Sequence, residues 1–220
     1  MDIRFYLRLL VVALLMVPVI LLLIFGVDVL LASFLHAHGT PLRPFFAVFM
    51  RWHDVVISAV HAQTMWVWLG LLGLFSVTRL LRRPNSTIWL VALLGWISSE
   101  VTGNMLKVYF NRPRPSDVFD QLASNADFWQ ATGRFGAFPS GHAAGAAGLL
   151  LPWALRFPKA RPWLLAWLGL VCLGRVVLEF HWLSDVVAGA VLGLLLSCTC
   201  EIGTWWLRPK LVDTAGKRSA

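Results

Sequence analysis

Charged side chains are scarce in this sequence. Of 220 residues only 14% are charged and 58% are hydrophobic, and the mean hydropathy is +0.71. A soluble domain carries about 25% charged and about 45–50% apolar residues. So few charges cannot cover a water-facing surface. That excludes a soluble enzyme, a disordered chain and a nucleic-acid reader, and no nucleic-acid partner is expected. Cysteine is equally sparse. Cys172, Cys198 and Cys200 all lie in apolar stretches, with no Cys-x-x-Cys or Cys/His metal spacing. They read as buried thiols. Acidic residues number 11 against 19 basic ones. In a membrane protein such a +8 excess comes from basic cytoplasmic loops.

What the sequence does have is long apolar runs. A bilayer core needs about 20 helical, mostly apolar residues. Six stretches meet or approach that length: roughly Leu7–Val27, Met65–Leu81, Ile88–Leu106, His142–Leu155, Trp163–His181 and Val186–Leu207. The fourth is short and is expected to run on to about Phe157. The first follows Arg4 and Arg8 but is longer than a signal-peptide core and has no convincing cleavage site, so it reads as a span. Val29–Ala62 is patchily apolar, holds Pro41 and Pro44, and reads as an interfacial, partly helical connection. No repeat or separate soluble domain is visible. The expected fold is an all-α integral membrane protein of six transmembrane helices, one membrane domain over residues 1–220.

With the N-terminus in the cytoplasm, six crossings divide the cations twelve to seven. Arg4, Arg8, Arg79, Arg82, Arg83, Arg156, Lys159, Arg161, Arg208, Lys210, Lys217 and Arg218 fall inside. Arg43, Arg51, Lys107, Arg112, Arg114, Arg134 and Arg175 fall outside. Both termini are therefore expected in the cytoplasm.

Three clusters carry chemistry. Lys107 to Arg114-Pro115 closes the third stretch. It is either a basic helix end broken by proline or a pair of cations for an anion. Pro139-Ser140-Gly141-His142 opens the fourth. Ser140 is a natural N-cap, and a helix N-terminus with free N–H groups is also an anion site. His142 in that first turn is placed to protonate a leaving group. The small residues Ala143 to Gly148, like Gly189 and Gly193, suit close helix packing. The third cluster runs from Arg175 to His181 and Asp185. A cation within an apolar run needs a partner or a function, and Glu179 at i+4 is one candidate partner. Asp185, four residues after His181, shares its helical face. A carboxylate there fixes the imidazole tautomer and frees the other nitrogen as a nucleophile. Two crossings separate the loops that hold these clusters, so all three open on one side.

In these motifs the chain resembles the type 2 phosphatidic acid phosphatase family, relatives of vanadium haloperoxidases and bacterial acid phosphatases. The family pattern is Lys-x6-Arg-Pro, Pro-Ser-Gly-His and Ser-Arg-x5-His-x3-Asp, and the resemblance spans about residues 90–195. Gly174 stands where the family usually has serine; the missing hydroxyl is expected to soften phosphate binding. The resemblance implies that Lys107, Arg114, Ser140, Gly141 and Arg175 hold the phosphate. It also implies that His181 becomes a phosphohistidine, that Asp185 orients it, and that His142 protonates the leaving oxygen. Fixed cations and N–H groups then stabilise the transition-state charge. No carboxylate cluster of Mg²⁺-binding character accompanies the motifs, so metal-independent hydrolysis without a cofactor is expected.

The expected substrate is an outer-leaflet lipid phosphate or pyrophosphate: undecaprenyl pyrophosphate, phosphatidylglycerol phosphate, phosphatidic acid or a lipid A phosphate. The expected location is a bacterial inner membrane with the site facing the periplasm. A phosphotransferase with the same phosphohistidine, or a non-catalytic lipid transporter or scaffold, would carry the same cations. Phe119, Phe128, Trp129, Phe135 and Phe138 punctuate the loop between the first two clusters, which either caps the site or meets lipid. Glu100 shares a helix face with Lys107, and pairs either with Arg175 or with nothing. His36, His38, His53 and His61 match no motif. The sequence leaves the oligomeric state open.

Overall fold

The computed structural model describes residues 3–57, 64–83 and 85–216. His61, Lys217 and Arg218, three residues named above, lie outside these. The described residues form α1 (Ile3–Gly26), α2 (Asp28–His38), α3 (Arg43–Ile57), α4 (Thr64–Leu80), α5 (Thr87–Phe110), α6 (Pro115–Phe119), α7 (Gly141–Arg156), α8 (Arg161–Val177) and α9 (Leu183–Gly216), with no strand among them. Each of the six apolar stretches is helical over most of its length, but the fifth ends as α8 at Val177, so His181 lies in the turn before α9 and shares no helical face with Asp185. The fourth ends as α7 at Arg156, with Phe157 as its C-cap. The connection read as interfacial contains two helices, α2 and α3.

Among the described residues two helices are long and apolar enough to cross a bilayer, Ile3–Gly26 and Leu183–Trp205, and Val67–Leu80 is a shorter apolar helix. On α1, Leu14, Leu15, Leu22 and Phe25 point outward and are exposed, while Tyr6, Ala13 and Ile20 are buried every seven residues. That is two turns of helix, so a narrow stripe faces the protein and the rest suits hydrocarbon.

The centre is α7, enclosed by α5, α8 and α9. Apart from His142 its first half is glycine and alanine, which allows backbones to touch. A Cβ on Gly95 of α5 would lie 2.7 Å from the Gly148 carbonyl of α7, and one on Gly193 of α9 would lie 2.6 Å from the Ala147 Cβ. Gly189 approaches the Ser140 carbonyl as closely. The packing reading of these glycines therefore has a physical basis: larger side chains would force the helices apart. Cys198 is buried, Cys172 and Cys200 are half-buried, and all three are free thiols.

α3 packs across α8. Phe46, Met50 and His53 form its buried stripe, spaced four and three, while Phe45, Val48, Trp52 and Val55 are exposed. This amphipathic pattern suits a helix lying against the bundle with its outer face toward lipid headgroups. Gly174 of α8 lies beneath α3. A Cβ there would meet Met50 Cγ, Met50 Sδ and Phe46 Cδ1, each at 3.1 Å.

Candidate active site

The end of α5, the starts of α7 and α9 and the end of α8 meet at one end of the bundle. Asn111 terminates α5 in the left-handed region, at φ 42°, a conformation asparagine tolerates better than most residues. Its side chain then ties down the following loop, donating to the Gln130 carbonyl (2.8 Å) and accepting from Phe135 N (2.7 Å). Phe110, Phe128 and Phe138 meet edge to face behind it, and Phe119 packs on His36 at 4.3 Å. Much of the loop's aromatic surface is thus spent on propping the loop itself, although Trp129 stays exposed.

Ser140 caps α7 by accepting from Ala143 N at 3.4 Å, and its own N–H donates to the Asp185 carbonyl at 2.9 Å. The second and third clusters are thereby joined through backbone. The Lys107 ammonium sits against the same helix start: a Cβ on Gly141 would lie 2.8 Å from its Nζ. Arg175 is buried, its guanidinium lies 4.3 Å over the Phe180 ring, and its Nε has no hydrogen-bond partner among the described residues. Arg114 lies over the same ring, 5.8 Å from its centre. Cations and helix N-terminus therefore converge, and among the described residues no carboxylate is bonded to Arg175.

Glu179, the candidate partner of Arg175, turns away. It occupies the left-handed region at φ 60° and receives Arg43 from α3 and His36 from α2, the latter at 3.1 Å. Left-handed backbone reverses the chain after α8, so the carboxylate points toward the connection and not back along the helix. Glu100 lies against Gly145 of α7.

His181 is buried, and its Nδ1 lies 2.8 Å from the Ala137 carbonyl. A carbonyl only accepts, so Nδ1 carries the proton and Nε2 keeps its lone pair. Asp185 Oδ2 stands farther from the same nitrogen, at 3.6 Å. Its oxygens are engaged elsewhere: Trp182 N donates to one at 2.8 Å, and Arg112 Nη1 donates to the other at 2.6 Å. The direct hydrogen-bond partner of the imidazole is thus a backbone carbonyl, and Asp185 adds a negative charge behind it.

Three further residues complete this end and carried no motif. Arg112 is buried and bridges Asp28 (2.8 Å), Asp185 and Ser184 (2.8 Å), with Phe128 and Trp182 rings over its guanidinium. Asp28 in turn accepts from Ser184 N at 2.9 Å and from Ser184 Oγ at 2.5 Å. A charge that deep requires this degree of pairing. Asp54 of α3 accepts from His142 Nε2 at 2.9 Å. Burial opposes the Asp54 carboxylate, but the His142 hydrogen bond and the charges of His142 and Arg175 outweigh it and hold its pKa below the usual value. His53, its neighbour, accepts from Trp167 Nε1 at 3.3 Å. Burial first, then repulsion from His142, push the His53 pKa down to about 4. A lone carboxylate just after a 24-residue apolar helix was the available signal for Asp28. For Asp54 it was the Phe46, Met50, His53 stripe.

Residues 88–209 match the model of the PAP2 superfamily. A lipid A 1-phosphatase of Rhizobium johnstonii is 32% identical over 119 residues, covering 52% of this chain and 48% of that protein. Another from Rhizobium etli is 32% identical over 100 residues, covering 44% and 42%. The chain thus spans about half the length of these curated relatives. A solved transmembrane PAP2-type phosphatidylglycerolphosphate phosphatase from Bacillus subtilis is 20% identical, covers 84% of this chain and 96% of that one, and superposes with a TM-score of 0.42. The family model takes in more than half of the chain and all three motif clusters, from Lys107 to Asp185, and the chain belongs to the PAP2 superfamily.

Proposed function

We propose that this protein is a membrane lipid phosphatase that cleaves a lipid phosphate or pyrophosphate through a phosphohistidine on His181. The observation that carries the reading is the fixed tautomer of His181, whose Nδ1 is committed to the Ala137 carbonyl at 2.8 Å. Its Nε2 lone pair is then the nucleophile, in surroundings rich in positive charge from Arg175, Lys107 and Arg114.

The phosphoryl group binds Lys107, Arg114 and Arg175 together with the free N–H groups at the start of α7, where Ser140 and Gly141 sit. Nε2 of His181 attacks phosphorus as the bond to the leaving oxygen breaks. That oxygen keeps the electron pair and takes a proton from protonated His142. Water then attacks the phosphohistidine and gives a proton to the now neutral His142. Inorganic phosphate departs and both histidines return to their starting states. The cations and N–H groups offset the charge on the equatorial oxygens throughout, so no metal is required. Asp185 acts on His181 by its charge and by bonding the backbone N–H of Trp182, which directly follows the nucleophile.

Six crossings with both termini in the cytoplasm put this end of the bundle at the outer headgroup level of an inner membrane. The substrate is then an outer-leaflet lipid, and the likeness to the Rhizobium lipid A 1-phosphatases puts a lipid A phosphate first among the candidates. The test is phosphate release from lipid A, phosphatidylglycerol phosphate, phosphatidic acid and undecaprenyl pyrophosphate, each with EDTA present. Release that survives EDTA and disappears in His181→Ala is the expected result. Release by His181→Ala at the wild-type rate would overturn the mechanism and leave a lipid-binding role. Label passing to an acceptor lipid instead of to free phosphate would make the protein a phosphotransferase. A C-terminal tag shielded from protease in intact spheroplasts is expected; digestion there would reverse the orientation.

A further inference from the structure

The segment that precedes the family match hydrogen-bonds one of the two motif histidines directly, through the contact between Asp54 of α3 and His142 of α7. We propose that Asp54 is a positioning residue for the general acid: it holds His142 Nε2–H, so that the protonated ring presents Nδ1–H to the leaving oxygen.

The electrostatics of the site give the reason. His142 stands at the start of α7, where the helix dipole is positive. Around it lie Arg175 from α8 and Lys107 from α5, with His53 beside Asp54 on α3 and the imidazole of His181 across the site. Arg114, after α5, adds a further positive charge that acts on His181 and Lys107. Everything that suits this end to a phosphate therefore repels a protonated imidazole. Asp54 is the negative group hydrogen-bonded to His142, at 2.9 Å. Burial and the phosphate-binding cations hinder the acid, and the carboxylate works against them.

The geometry is specific to the way α3 is seated. α3 approaches α8 at Gly174, where a side chain would press on Phe46 and Met50 at 3.1 Å. Arg43 on Glu179 fastens its first turn, and the buried His53 at Trp167 fastens its last. Directly after the second anchor, Asp54 faces His142 with its side chain 41% exposed, and His142 is 28% exposed. A purely structural ion pair at this depth has no need of an opening to solvent or substrate. A pair that passes a proton to a substrate requires one.

The inference rests on the phosphatase reading, and the leaving group separates the two. An alkyl alcohol leaves only with a proton, whereas a nitrophenolate leaves without one. Purified full-length wild type, Asp54→Asn, Asp54→Glu and His142→Ala are assayed on a short-chain phosphatidic acid and on p-nitrophenyl phosphate. The ratio of the two rates is independent of how much of each preparation is folded. In the first turnover, before the phosphohistidine hydrolysis that both substrates share, Asp54→Asn is expected to lose about 10- to 100-fold in leaving-group release from the alkyl phosphate and little from the aryl one. The alkaline limb of its kcat profile moves to lower pH. Asp54→Glu recovers most of the ratio. An Asp54→Asn variant that loses both rates equally, or keeps both, overturns the proposal alone. A His142→Ala variant with an unchanged ratio overturns the general-acid role itself. Absence of phosphate release by wild type overturns the phosphatase reading, and this proposal with it.

Discussion

α7 and α9 carry buried cations or their partners at both ends, and the two ends treat them in opposite ways. At the far end Arg156 is closed off. Its Nε and Nη2 each donate to one Glu201 oxygen at 2.7 Å, and Nη1 donates to Thr87 at 3.1 Å. At the site end the Arg175 guanidinium lies over an aromatic face, and its Nε is unpaired among the described residues. The contrast recurs two residues apart, since Arg112 is sealed between Asp28 and Asp185 while Arg114 faces Phe180. A buried cation with a complete set of acceptors is a structural part. One held in place without them keeps donors free for an anion.

The largest effect belongs to the closed end. Arg156→Met leaves the Glu201 carboxylate buried without its cation, and such losses are worth about 3–5 kcal/mol. Unfolding in detergent should shift by that amount while phosphate release per folded molecule stays at the wild-type level. Adding Glu201→Leu should return most of the stability, because an apolar pair of similar volume is often as stable as the ion pair. A fall in activity per folded molecule would mean that the ends are coupled, and the comparison would fail.

Arg175→Ala inverts the pattern. Removal of one fixed donor to the transition-state charge lowers kcat by about 10²–10³, or about 2.7–4 kcal/mol. Stability should hold or rise, since an incompletely satisfied buried charge is deleted. Unfolding curves and phosphate release on the same preparations check both halves. A destabilisation as large as that of Arg156→Met would place Arg175 among the structural cations.

The same division explains what the sequence disclosed. Lys107, Ser140, His142, Arg175 and His181 were legible because each sits at a helix end whose place follows from the count of apolar stretches. Local spacing did the rest. Asp28, Asp54 and the Arg43 contact to Glu179 were not legible, because they join residues 156, 88 and 136 positions apart. They come from a connection whose patchy hydrophobicity marks an interface without saying what it covers. The Asp185 spacing to His181 was legible, but the Ala137 carbonyl that accepts the imidazole's Nδ1–H hydrogen bond was not. A backbone acceptor leaves no trace in residue type.

Acidification should loosen the segment that covers the open end. A free histidine titrates near 6.5, but His53 beneath α3 does so at about 4. Detached α3 therefore binds a proton that docked α3 refuses. Docking is at full strength above about 6.5 and weakens as pH falls toward about 4, by about 3 kcal/mol over that window. Asp54 adds to the trend at the acidic limit, since its lowered pKa means that the docked carboxylate also resists protonation. Amide exchange over residues 43–57, corrected for its intrinsic pH dependence, should rise across this range, with the helices around Arg156 as the internal reference. His53→Phe should flatten the dependence. Equal loosening at both ends would dissolve the distinction between a sealed end and a covered one.

The smallest effect concerns Gly174, where the family usually has serine. A new Cβ lies 3.1 Å from Met50 and Phe46, so Gly174→Ser asks those side chains to give by a few tenths of an ångström. Overpacking of this kind typically costs about 1–3 kcal/mol, and the low end applies because the Met50 chain is flexible. That strain falls on α3 seating and not on the bundle. The serine hydroxyl, moreover, would start out facing α3. The expected result is a small drop in the alkyl-to-aryl rate ratio through Asp54, with stability at the Arg156 end unchanged. Should Gly174→Ser instead raise the affinity for phosphate and leave the ratio alone, the hydroxyl would be reaching the anion. α3 would then be a passive cover over a site complete without it.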